Sequence, residues 1–253
     1  VRICRVAVDD ALYFGLIEGE AVVLLAGHPF GELAPEGRVL PLEDVRLVAP
    51  VLPSKVIAVG RNYADHAREL GNVVPVAPMI FLKPSTSIVG PFEPIALPWQ
   101  SEQVEHEVEL AVVIGRLCRE VPEERVPDVV LGYTCANDVT ARDLQKTDGQ
   151  WGRAKGFDSF CPIGPWIQTD VDLDEAAITC YVNGELRQDG VLGDMVRGVP
   201  ELVSWISSVM TLLPGDVILT GTPAGVGPLT AGDSVSVSID GIGTLTNPVI
   251  DRD

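Results

Sequence analysis

The stretch Val104-Glu105-His106-Glu107-Val108-Glu109-Leu110-Ala111-Val112-Val113-Ile114 alternates carboxylates with other residues and then runs into a continuous apolar tail. A period of two predicts a β-strand, on which side chains two apart point the same way. Glu107 and Glu109 then lie side by side, while Val108, Leu110, Val112 and Ile114 fill the opposite face. Two neighbouring carboxylates on a strand that otherwise builds core repel each other, and burial raises the cost unless a cation or a shared proton compensates. A divalent metal ion is the obvious compensation, although the same alternation also suits a solvated sheet face.

Working outward, residues 129–137 predict a further strand that ends at Asp138, where a side chain can project into a cleft. Three carboxylates plus water make a hard, all-oxygen site of the kind magnesium or manganese prefers. Asp138 also suits a cap for the next turn, and residues 140–145 read as one or two helical turns with Thr140 as a candidate cap. Upstream, residues 55–59 predict a buried strand, residues 64–70 a short helix stopped by Gly71, and residues 79–82 another strand. His66 and Glu69 are three apart on that helix and share a face. A carboxylate set against an imidazole raises its basicity, as proton abstraction needs, although a surface ion pair has the same spacing.

Asn183-Gly184 between apolar runs predicts a two-residue hairpin turn, and residues 200–213 a helix with Pro200 at its start and Pro214-Gly215 as its stop. Residues 2–25 read as three short strands, and residues 27–53 as loops. The chain therefore divides into a small N-terminal β domain, residues 1–50, and a larger domain, residues 51–253. Many strands with few, scattered helices give a β-rich α+β class and do not suit a doubly wound parallel sheet.

With 253 residues and 46% hydrophobic content the chain can bury a large core. A net charge of −18 and a pI near 4.4 exclude nucleic acid as a natural partner, so an anionic substrate needs locally placed cations. Lys83, Arg142 and Lys155 are such cations inside apolar or Gly-containing stretches, and residues 151–157 suggest a binding loop. No apolar run is long enough for a membrane span, and the first residues lack a signal-peptide plan. Five widely spaced cysteines fit buried thiols in a reducing cytoplasm. The Gly-rich residues 221–228 fail as a phosphate loop for lack of Lys-Ser/Thr, but N–H groups around Thr222 can cradle a carboxylate.

Seven segments in this order resemble the fumarylacetoacetate hydrolase family, specifically its smaller single-chain members that process 2-oxo acids. They are residues 59–69 (VGRNYADHARE), 81–85 (FLKPS), 105–110 (EHEVEL), 137–145 (NDVTARDLQ), 155–158 (KGFD), 182–187 (VNGELR) and 214–223 (PGDVILTGTP). The likeness spans residues 52–248. It implies a layered mixed β-sheet fold with a few short helices, a Mg or Mn ion, a homodimer, and a small anionic 2-oxo acid as substrate. By motif position it implies Glu107, Glu109 and Asp138 as metal ligands and His66, Glu69 and Lys155 as catalytic groups. Arg142, Gln145 and Thr222 fall on substrate-contacting positions. The implied chemistry is acylpyruvate hydrolysis or oxaloacetate decarboxylation through a metal-held enolate, with isomerisation or decarboxylation of hydroxymuconate-type diacids as the enzyme alternative. A non-catalytic 2-oxo acid binding protein is the alternative from another class.

Overall fold

A computed structural model describes residues 1–252. Its largest unit is a twelve-stranded sheet whose main path runs, in spatial order, Pro35–Pro41, Ala21–Leu25, Ala11–Glu18, Arg2–Val8, Cys161–Gln168, Val130–Asn137, Val108–Ile114, Val217–Leu219, Val56–Gly60 and Met79–Lys83. Neighbours on this path are antiparallel except Val217–Leu219 against Val56–Gly60. A five-stranded sheet of Glu185–Val191, Ala177–Val182, Ser234–Ile239, Gly243–Asp251 and Ile95–Leu97 supplies the second layer.

The decisive stretch is cut in two at Glu107, which corrects the reading of one unbroken strand. Val104–His106 joins a small sheet with Thr140–Ala141 and Gly227–Pro228, and Val108–Ile114 enters the large one. At the break, the Glu107 N–H donates to Asn137 Oδ1 at 2.9 Å and its carbonyl accepts from the Asp138 N–H at 2.8 Å, so the backbone stays paired without a regular ladder. Beyond it every residue of Val108–Ile114 is buried. Val108, Leu110, Val112 and Ile114 pack with Ile178, Cys180, Val235 and Val237 of the second layer. Ala111 and Val113 join Val56, Ala58, Ile163, Val217 and Leu219 on the other face. A strand covered on both faces must be apolar on both, which is why alternation stops after Leu110. Glu109 shares its face with Ala111 and Val113, at the end where that core gives way to polar residues.

The N-terminal strands form a meander whose first member docks on the main body, Arg2 opposite Gln168 and Ile3 opposite Ile167. They extend the large sheet and carry their own apolar cluster of Cys4, Val6, Ile17, Val22 and Leu24. Residues 27–53 hold more than loops, since Pro35–Pro41 pairs with Ala21–Leu25. The Asn183-Gly184 turn has φ of 53° and 80°, the left-handed pair that a two-residue hairpin requires. The long helix is Val199–Val209, shorter than the spacing predicts, because Leu212 leaves to exchange backbone bonds with Cys118. Thr140 is not a cap: its hydroxyl donates to the Asp138 carbonyl at 2.8 Å, and the helix Arg142–Asp148 starts after Ala141 without a side-chain cap.

All five cysteines are free and buried, and burial pushes the thiols of Cys4, Cys135, Cys161 and Cys180 up to about 12, which leaves them unreactive. Among the described residues no helix is long and apolar enough to cross a membrane.

Candidate active site

Several chain segments meet at one cleft. The break at Glu107 and the strand after it deliver Glu107 and Glu109, the end of Val130–Asn137 delivers Asp138, the helix Ala64–Glu69 delivers His66, and the loop after Val217–Leu219 delivers Thr222. Glu107, Glu109 and Asp138 each offer an oxygen, and these atoms lie within 4.8 Å of one another, all three residues being buried. His66, Arg142, Gln145 and Lys155 line the same cleft, with Leu70, Phe81 and Trp151 as apolar wall. Glu69 stands behind His66, its Oε2 3.3 Å from Nδ1, and its Oε1 accepts the Gly225 N–H at 3.0 Å.

The cations expected at the site are committed to carboxylates. Lys155 Nζ donates to Glu107 Oε2 at 2.7 Å and Asp138 Oδ2 at 2.6 Å, and Lys83 Nζ donates to Asp138 Oδ1 at 2.5 Å. Arg142 donates to Glu105 at 2.7 Å, to Gln145 Oε1 at 2.6 Å and to Glu107 Oε1. Arg142 thus reaches the cleft wall but spends its guanidinium on orienting Glu105, Glu107 and Gln145. Thr222 Oγ1 accepts from Gln188 Nε2 at 2.7 Å and keeps its own proton to give.

These contacts pull the two paired glutamates apart electrostatically. Burial raises the Glu107 carboxyl, but Lys155 and Arg142 beside it outweigh that and hold it well below the usual carboxylate range. Glu109 has no cationic partner, only the Gly221 N–H at 2.6 Å. Its burial, followed by the charges of Asp138 and Glu107, pushes it well above that range. Burial disfavours the charged form of Lys155, yet Asp138 and Glu107 override it and raise the ammonium above the ordinary lysine value. The buried set holds four carboxylates, Glu105, Glu107, Glu109 and Asp138, against three cations, Lys83, Arg142 and Lys155. Fully ionised, the set would carry one net negative charge, and Glu109 is the carboxyl whose surroundings least favour bearing it. An all-oxygen triad with one under-compensated carboxylate fits a divalent cation, whose uptake turns the local charge to one positive and suits an anionic ligand.

The sequence model described as "Fumarylacetoacetate (FAA) hydrolase C-terminal" matches residues 55–250. The chain belongs to the fumarylacetoacetate hydrolase family. A second model, "Rv2993c-like, N-terminal", matches residues 1–50. The crystal structure of 5-carboxymethyl-2-hydroxymuconate delta-isomerase from Mycobacterium smegmatis is 53% identical, with a TM-score of 0.95 over 100% of both chains. Human mitochondrial oxaloacetate tautomerase FAHD2A is 42% identical over 93% of this chain and 78% of its own length. Maleylpyruvate hydrolase from Sphingobium sp. SYK-6, solved in complex with manganese(II) ion and pyruvate, is 32% identical, with a TM-score of 0.83 over 100% of both chains.

In this fumarylacetoacetate hydrolase family member one organising residue escapes sequence reading. Gln188 is fully buried in the second layer. Its Oε1 accepts from the Val108 N–H at 3.0 Å and lies 2.9 Å from His106 Nδ1, and its Nε2 donates to Thr222 Oγ1 and to the Pro223 carbonyl at 2.8 Å. One amide therefore ties the strand between Glu107 and Glu109 to the loop that holds Glu69 through Gly225. The Asn-Gly hairpin places Gln188 four residues past the turn, but nothing local marks its partners. Gln188→Leu should leave several buried polar groups unpaired and cost about 2–4 kcal/mol. Urea denaturation measures this; a loss within 0.5 kcal/mol of zero, roughly the level of a neutral surface change, removes Gln188 as a tie.

Proposed function

We propose that the protein is a Mg2+- or Mn2+-dependent enzyme that forms and quenches an enolate on small anionic 2-oxo acids, hydrolysing acylpyruvates or decarboxylating oxaloacetate. The observation that carries this reading is that His66, backed by Glu69, and the Glu107, Glu109 and Asp138 triad line one cleft. A divalent ion held by those three carboxylates supplies Lewis acidity where enolate charge develops on the 2-oxo oxygen. In hydrolysis His66 takes a proton from water for attack on the distal carbonyl, and Glu69 stabilises the imidazolium that results. The C–C bond then breaks, its electrons pass into the pyruvate enolate, and His66 is placed to return the proton. Lys155 keeps its ammonium beside the developing oxyanion, held there by Glu107 and Asp138. Thr222 and Gln145 are placed to orient the substrate, and Leu70, Phe81 and Trp151 narrow water access.

A second reading, relocation of a proton along the same enolate by His66, is favoured by the names of the two relatives at 53% and 42% identity, an isomerase and a tautomerase. Both readings share the metal, the histidine and the 2-oxo acid. The test is a panel of oxaloacetate, acetylpyruvate, fumarylpyruvate and 5-carboxymethyl-2-hydroxymuconate with added Mg2+ or Mn2+. Turnover is expected on at least one, is lost on chelation and returns with the metal. No turnover on any, with 2-oxo acid binding seen by calorimetry, would leave a binding protein and overturn the enzyme reading. The homodimer is part of the same proposal, and light scattering of the purified protein measures it.

A further inference from the structure

The cleft contains one fixed cation that no carboxylate claims. Arg61 follows the buried strand Val56–Gly60 and lines the cleft beside His66 and Trp151. Its Nε is buried without a hydrogen-bond partner, and among the described residues no acid pairs with its guanidinium. Lys83, Arg142 and Lys155, by contrast, are all spent on Glu105, Glu107 and Asp138. An arginine always carries its charge, and a buried N–H left unpaired is costly, so its persistence points to a ligand that completes it.

The backbone supports the same conclusion. Arg61 has φ of 60°, a left-handed conformation that is rare and strained for a residue with a β-carbon. Its neighbours are held on both sides. Asn62 is locked by donating to the carbonyls of Arg197 at 2.9 Å and Thr220 at 2.8 Å, while its Oδ1 accepts the Arg197 N–H at 3.0 Å. On the other side, Gly60 has no room for a side chain, since a β-carbon there would fall 2.7 Å from both Met79 and the Trp151 ring. The chain thus holds Arg61 in a conformation it would not choose, with its head group at the cleft. Lys146 also lines the cleft, but it is exposed.

We infer that Arg61 is the subsite for a second carboxylate, so that the substrate class is a 2-oxo dicarboxylate and not a neutral-tailed 2-oxo acid. This rests on the 2-oxo acid reading above and deepens it. The charges agree: the triad region carries one net positive charge once a dication is bound, which answers the 2-oxo carboxylate, and Arg61 supplies the second positive charge for the distal one. Its planar fork can grip that group through two parallel N–H bonds.

Isosteric pairs test this without assuming a reaction: 2-oxoglutarate against 2-oxopentanoate, and 2-oxoadipate against 2-oxohexanoate, each exchanging the distal carboxylate for a methyl. Calorimetry with Mg2+ or Mn2+ present should show wild type preferring the dicarboxylate of at least one pair by about ten- to a hundredfold. Arg61→Met should erase that preference and leave the monocarboxylate affinity within about twofold, while Arg61→Lys keeps part of it. A preference unchanged in Arg61→Met overturns the assignment, as does an equal loss for both members of a pair, which would make Arg61 a positioning residue for the His66 helix. If wild type binds neither member of either pair, the 2-oxo acid reading itself fails, and the inference with it.

Discussion

Glu109→Gln should make the metal-free protein more stable at neutral pH while it abolishes metal uptake and lowers turnover by about a thousandfold or more. The first half follows from the different surroundings of two glutamates only two residues apart. Glu107 is answered by Lys155 and Arg142, so removing it takes one of two carboxylate partners from each of two buried cations and confuses a loss of metal with a loss of fold. Glu109 is answered by one backbone N–H, and a glutamine oxygen can accept the same bond from Gly221. Without metal, folded Glu109 keeps its proton to higher pH than the unfolded chain does, because it is buried beside Asp138 and Glu107. The stability linked to this residue is therefore present in full below the ordinary glutamate range and is lost as pH rises through the raised value. Glutamine deletes that loss, for a gain on the order of 1–3 kcal/mol near neutrality, and flattens stability against pH from mildly acid to neutral. The second half follows from ligand chemistry. A bound dication adds about 2.7 kcal/mol to wild-type stability at a hundredfold excess over its Kd, and a two-carboxylate site should gain far less. Losing Lewis acidity worth several kcal/mol in the transition state gives the rate loss. Thermal melts with and without Mn2+, beside metal analysis, read all of this. A mutant that still carries about one ion per chain and melts like wild type would remove Glu109 from the site.

The parts of this protein that were legible in its sequence are those set by near neighbours. Alternation around Glu107 and Glu109 marks a strand with paired acids, the three-residue spacing of His66 and Glu69 marks a shared helix face, and Asn183-Gly184 marks a hairpin. Each signal is local; the helix and the hairpin stand where their spacing places them, and the strand does so apart from its break at Glu107. What stayed hidden depends on partners far along the chain. Cys161–Gln168 carries Pro162, Gly164 and Pro165, residues disfavoured inside a sheet, yet it pairs with Arg2–Val8 on one side and Val130–Asn137 on the other. That Arg142 orients Glu105 and Glu107 was equally hidden, because both carboxylates lie more than thirty residues back along the chain. Arg61 sits inside the VGRNYADHARE segment, but its unpaired state appears only when the buried cations Lys83, Arg142 and Lys155 are seen to be taken.

The histidine offers a way to tell the candidate reactions apart, since they ask different things of it. His66→Asn should keep the metal, because His66 is not among the three carboxylates, and should fold as wild type, because among the described residues its one side-chain partner is the partly exposed Glu69. In hydrolysis the lost imidazole leaves no base to take the proton from water, and the expected fall in turnover is about a hundred- to ten-thousandfold. In tautomerisation or isomerisation the same group moves the carbon-bound proton itself, so the fall should be of similar size. In decarboxylation of oxaloacetate the departing carbon dioxide leaves its electrons behind as the enolate, with no base involved in the bond-breaking step. Only the later protonation of that enolate calls for an acid, and water can supply it, so a loss of about tenfold or less is expected there. Glu69→Gln should follow the same order with smaller losses, since it weakens the imidazolium without removing the imidazole. Turnover of oxaloacetate followed two ways, by carbon dioxide release and by keto–enol exchange, compares the reactions on one substrate in one active site. A large loss in exchange with carbon dioxide release nearly spared assigns proton relocation to His66 and makes decarboxylation a property of the bound metal and the surrounding cations. Equal, small losses in both would take His66 out of the mechanism altogether, whatever its distance from Glu69.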